Sequence, residues 1–74
     1  MDIFTNRLNK LLKENDITRY RLAKDLSCSK STILYWCDGK FEPKATEIRK
    51  IAEYFDVTTD YLLGLENEDG SKAV

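Results

Sequence analysis

Within six consecutive positions the chain carries Lys30, Ser31, Thr32, Leu34 and Tyr35. They supply a cationic donor, two hydroxyls that both give and accept hydrogen bonds, a branched apolar group and a phenol. Such a set suits the reading of a molecular edge by hydrogen bonds and apolar contact. Bond-breaking chemistry lacks its usual groups. The chain has no His, so a general base near neutral pH would have to be a strongly shifted carboxylate, and the acids lie singly along the sequence. Gly39, Gly64 and Gly70 form no phosphate loop, and the expectation is a protein that is not an enzyme. The two cysteines, Cys28 and Cys37, are too few for a structural zinc site without His. No metal and no cofactor are therefore expected, and a reduced pair is. Cys28 reads as a small buried hydrophobe, with a partly exposed, redox-sensitive Cys37 as the alternative for the second thiol.

The elements that must position residues 30–35 can be read from apolar spacing. Thr18 is a capping type, and Leu22, Ala23 and Leu26 follow at helical spacing, which predicts a helix over Arg19 to Leu26. Ser27, Cys28 and Ser29 break the pattern. Ser29 can cap a second helix from Lys30 to about Cys37, stopped by Asp38 and Gly39. The methyl group of Ala23 lets the two helices cross closely, while Ile33 and Trp36 fill the wedge between them. With that face used, Lys30, Ser31, Thr32, Leu34 and Tyr35 are left to point outward. A helix of about eight residues spans about 12 Å, close to the width of the DNA major groove.

The run LAKDLSCSKSTILYWCDGKFEP, with Leu22, Ala23, Leu26, Ser29, Thr32, Ile33, Trp36, Gly39 and Pro43 in register, resembles the Cro and phage-repressor type of helix-turn-helix, also called Xre-like. The likeness extends from about Leu8 to Leu63. It implies an all-α, compact five-helix, lambda-repressor-like domain that binds double-stranded DNA as a homodimer on a roughly palindromic operator. It also implies a division of roles. Arg19, Arg21, Lys40 and Lys44 would hold phosphates, whereas Lys30, Ser31, Thr32, Leu34 and Tyr35 would reach base edges. The sequence departs from the family pattern in places. Arg19 and Arg21 stand where Gln and Glu or Gln are common, Ser27 where Gly is frequent, and Cys37 where Glu is frequent. A Ser27 with positive φ would carry some strain.

Around this centre, Ile3, Phe4, Leu8, Leu11 and Leu12 predict a helix over Ile3 to Glu14, with Arg7, Lys10 and Lys13 on its other sides. Ile17 re-enters the core before Thr18. Phe41 is expected to tuck beneath the loop as an anchor. Pro43 leads into a helix over Lys44 to Phe55, with Ile48, Ile51, Ala52 and Phe55 inward and no good cap at its start. Thr58 and Asp60 begin a short helix over Thr59 to Leu63. That segment is richer in apolar residues than one domain needs, so Tyr61, Leu63 and Leu65 are assigned to a dimer interface on the strength of the resemblance. Residues 1–65 then form the helix-turn-helix domain and 66–74 a polar, mobile tail.

Composition agrees with one small helical domain, since a chain of 74 residues buries only about 60% of its unfolded surface. No run approaches a membrane span and the N-terminus resembles no signal peptide, so a cytoplasmic location is expected. The net charge of -1 conceals a division: residues 1–52 hold eleven Lys and Arg against seven acids, and residues 53–74 one Lys against six acids. Because screening acts over about 8 Å, a phosphate senses the local basic patch more than the distant acidic end. Two functions fit. One is a sequence-specific DNA-binding transcriptional regulator, a repressor by preference. The other is a protein-binding module, an antitoxin-like or anti-repressor target on the same scaffold, whose partner or inducer the residues do not name.

Overall fold

The computed structural model describes residues 2–67, 69, 71 and 72. Among them five helices follow one another: α1 (Asp2–Glu14), α2 (Arg19–Leu26), α3 (Lys30–Asp38), α4 (Ala45–Phe55) and α5 (Thr59–Leu63). Among the described residues the only strand-like pairing is an isolated bridge between Glu66 and Lys72. The sequence boundaries hold for α2 and α5, and lie within a residue for the others. The expected mobile tail over 66–74 falls partly on Glu68, Gly70, Ala73 and Val74, which lie outside the described residues.

The helix ends show why the chain breaks where it does. Thr18, Ser29 and Thr58 each sit in extended backbone and accept a hydrogen bond from an otherwise orphaned N–H three residues on: Arg21, Thr32 and Tyr61 respectively. Asp16, Ser27 and Asp56 adopt φ of 53°, 55° and 56° to reverse the chain. Ser27 does so where glycine would be unstrained, and the backbone N–H of Cys28 closes on the Ala23 carbonyl at 3.0 Å. The start of α4 differs from the expectation. Lys44 lies outside the helix as its cap residue and its ammonium has no acceptor to offer, but the Glu47 carboxylate accepts the Lys44 backbone N–H at 2.6 Å. Half of a reciprocal cap therefore does the work of a polar one.

Every helix contributes to one core. Phe4 and Leu8 of α1, Leu22 of α2, Ile33 of α3, Ile51 of α4 and Leu62 of α5 are completely buried. Trp36 packs edge-on against Phe4, with ring centroids 6.4 Å apart and planes at 84°. Ala23 and Ile33 both lie in this core, and α2 and α3 form the most extensive helix pair. Two expectations are corrected. Ile3 is 49% exposed, because the inward stripe of α1 begins at Phe4. Phe41 is 60% exposed rather than tucked under its loop, and the neighbouring Pro43 takes the buried place.

The two ends of the chain are joined by Arg7. Its guanidinium lies 4.5 Å from the centroid of the Tyr61 ring and donates to the carbonyl oxygens of Tyr61 and Glu66. Thr58 Oγ1 donates to Glu66 Oε1 at 3.1 Å. Gly64, at φ 82°, passes so close to Ile3 that an added Cβ would stand 2.9 Å from that side chain. Ala23→Leu should overfill the α2–α3 crossing and cost about 1–3 kcal/mol of stability, read from urea denaturation. An unchanged midpoint would place the crossing elsewhere.

Candidate nucleic-acid interface

Helix α3 is fixed from one side. Ile33, Trp36 and Cys37, at i, i+3 and i+4, are all buried. Its last turn is held by polar groups of α1 as well: Thr5 Oγ1 donates to the Trp36 carbonyl and Asn9 Nδ2 to the Cys37 carbonyl, each at 3.0 Å. The Asn9 bond satisfies a carbonyl of the kind a helix C-terminus leaves without a partner, and the Thr5 bond adds to the one that the Gly39 N–H makes to Trp36 at 3.3 Å. Lys30, Ser31 and Tyr35 face solvent, and Thr32 and Leu34 are half-buried. The Thr32 hydroxyl is engaged with Ser29 Oγ at 2.8 Å, so it supports the cap more directly than it offers a reading group.

The four expected phosphate ligands are all exposed, but they are not equivalent. Arg19 opens α2 beside a surface depression shared with Asn9, Lys13, Asp16 and Thr18. Arg21 Nε donates to Asp25 Oδ2 at 2.9 Å, one helical turn along, while the side chain remains 66% exposed. Lys40 follows the α3 stop and Lys44 caps α4. Neither α2 nor α3 has an acidic residue in its first turn, whereas α4 has Glu47 and α5 has Asp60. The positive helix ends beside the exposed row are thus the ones left uncompensated.

Of the residues assigned to a second subunit, Tyr61 is buried within its own chain beneath Arg7. Leu63 and Leu65 are exposed, at 38% and 57%. Cys37 is buried and Cys28 half-buried, both as free thiols. Burial pushes both thiols above their ordinary value, with the Glu47 carboxylate adding to the effect at Cys28 and Asp38 at Cys37. Both stay protonated and poorly nucleophilic near neutral pH. Among the described residues no three His, Cys, Asp or Glu side chains gather into a metal site, and no helix is long and apolar enough to cross a membrane.

This arrangement of a buried inner face, a tight turn and an exposed outer row runs through the segment that a known family covers. Residues 5–68 match the helix-turn-helix domain family. The chain belongs to that family, in its Xre-like branch. Over 63 residues, 85% of the chain, it is 33% identical to the HTH-type transcriptional activator BcrR of Enterococcus faecalis, and it spans 31% of that protein's length. Its fold is similar to the solution structure of the SOS-response transcriptional repressor LexA from Eubacterium rectale, with a TM-score of 0.83 and 25% identity over 99% of this chain and 76% of that one.

Two features of this helix-turn-helix were not anticipated from the residues. Tyr20 on α2 is 66% exposed, and the Lys30 ammonium lies 5.9 Å from its ring centroid, within cation–π range. Its place off the Leu22, Ala23 and Leu26 stripe was the available signal. The second is a bond between helices outside the reading face. Asp25 Oδ2 accepts from Tyr54 Oη at 2.5 Å as well as from Arg21, linking α2 to α4. The Tyr54 hydroxyl, followed by the Arg21 guanidinium, outweighs desolvation and holds the Asp25 carboxyl below its ordinary range.

A carboxylate depressed in the folded state adds stability that is present above its unfolded pKa and lost as pH falls through the folded value, here below about pH 4. Tyr54→Phe should therefore lower stability near neutral pH and flatten part of the acid-side loss, as measured by urea denaturation across that window. Coincident pH profiles for the two proteins would show that the bond contributes nothing.

Proposed function

We propose that the chain is a sequence-specific, double-stranded DNA-binding module of a transcription regulator, reading the major groove with α3. The observation that carries the reading is the one-sided anchoring of α3, which leaves Lys30, Ser31 and Tyr35 in solvent on a helix about 13 Å long, matched to a groove about 12 Å wide. The uncompensated N-termini of α2 and α3 add to it, because phosphate oxygens are favoured at such ends. In this reading Arg19, Arg21, Lys40 and Lys44 set affinity and register. Lys30 donates to guanine O6 and N7, Ser31 to either partner, and Leu34 and Tyr35 offer apolar surface to a thymine methyl, with Thr32 behind them.

A homodimer on a two-fold operator completes the reading, with half-sites about 10 base pairs apart. Leu63 and Leu65 are the exposed apolar surface that supports it. Repression is the mode proposed, since occupancy of an operator needs no surface beyond the DNA-binding one.

Four cations per protomer predict about eight phosphate contacts per dimer and a slope of log affinity on log salt near about -7. Arg19→Ala should weaken binding to all duplexes alike and reduce that slope by about one per half-site. Lys30→Ala should cost about 1–3 kcal/mol on the selected site and little on random duplex. Titrations of selected and random duplexes over a salt series make the comparison. Salt-indifferent binding, or none, would assign the scaffold to a protein partner instead. Leu65→Glu should weaken self-association about tenfold or more, read by sedimentation equilibrium, with helicity unchanged. An unaffected dimer would move the interface away from Leu65 and the segment that follows α5.

A further inference from the structure

We propose that Phe41 determines sequence specificity by positioning Tyr35, so that the two rings together read the C5-methyl group of a thymine. This deepens the DNA-reading proposal and rests on it. Phe41 is 60% exposed in the loop after α3, and its ring meets that of Tyr35 edge-on, with centroids 4.7 Å apart and planes at 67°. A phenylalanine in a small domain gains most by burial. The loop, moreover, is held by other means. Gly39 turns the chain at φ 74°, the Lys40 N–H donates to the Tyr35 carbonyl at 2.9 Å, and Pro43 is buried.

Phe41 is therefore not the anchor of its loop, and the place its ring occupies is beside a side chain of the reading face. Tyr35 alone, 39% exposed, would be free to sample several side-chain rotamers in solvent. The edge-on ring narrows that choice before DNA arrives, which removes part of the ordering cost of binding. Both rings are apolar at their faces, and among the groups a base pair shows in the major groove the thymine methyl is the one that rewards apolar contact. Lys40 immediately precedes Phe41, so the loop after α3 carries one proposed phosphate donor next to the ring that positions Tyr35.

The test starts from a duplex selected by the whole chain from a random pool, in which each thymine is replaced singly by uracil. Uracil lacks only the methyl group. Wild-type protein should lose about 3- to 10-fold in affinity at one position of each half-site. Phe41→Ala and Tyr35→Ala should each abolish that difference, and the double variant should do no more than either single one. Phe41→Tyr should restore the discrimination and Phe41→Leu should not. The melting temperature and the salt slope should stay at their wild-type values in all of these variants. Loss of affinity by Phe41→Ala equally on all sequences, a thymine-over-uracil preference that survives it, or the lack of any uracil-sensitive position would overturn the proposal while leaving salt-dependent, selective binding in place. Failure of the chain to bind any duplex in a salt-dependent way would overturn both readings.

Discussion

A helix of nine residues cannot hold its own shape in water, and α3 is that short. What keeps it helical is attachment along one face: Ile33, Trp36 and Cys37 in the core, and two α1 side chains on its last carbonyls. The attachment explains the exposure of the opposite face. Side chains at i, i+3 and i+4 use up the inner stripe, and Ser31 and Tyr35 fall on the far side by geometry alone. Ala23 belongs to the same core as Ile33, and its small side chain adds little bulk to the packing between α2 and its neighbours.

Charge follows the same division of labour. The acids that compensate helix dipoles sit at α4 and α5, and the two helices of the turn have none in their first turns. Asp25 is the acid on α2, and it is occupied by Arg21 and Tyr54. That arrangement turns a negative charge near the basic face into a link between α2 and α4, and leaves Arg19 and Lys30 as the charges of the two helix starts. At the other end Arg7 satisfies two carbonyl oxygens and covers Tyr61, closing α5 onto α1. Leu63 is thereby displayed from a helix held on α1, and Leu65, just beyond it, is tied back by its N–H to the Asp60 carbonyl at 2.8 Å.

Aromatic residues mark the limits of reading a sequence by period. Trp36 and Phe4 lie on apolar stripes and were legible as core. Phe41 lies in a loop with no period to consult, and size alone suggested burial. Its neighbour Pro43 fills the inner place instead, leaving Phe41 outside against Tyr35. Ile3 shows the same limit at a helix end, where one residue of register decides which side faces inward.

The linear chain determined the helices and their stops, because capping side chains, apolar spacing and Gly39 act within a few residues of themselves. It also determined that α3 has Ser31 and Tyr35 on its outer side, since that follows from the position of the inner stripe, while Lys30 is exposed as the first residue of the helix. Only the folded molecule decided the partnerships across helices: Thr5 and Asn9 on α3, Tyr54 on Asp25, Arg7 on Tyr61, and Phe41 on Tyr35. These residues are as few as six and as many as 54 positions apart in the chain. Their meeting depends on how whole helices cross, and local spacing carries no record of that.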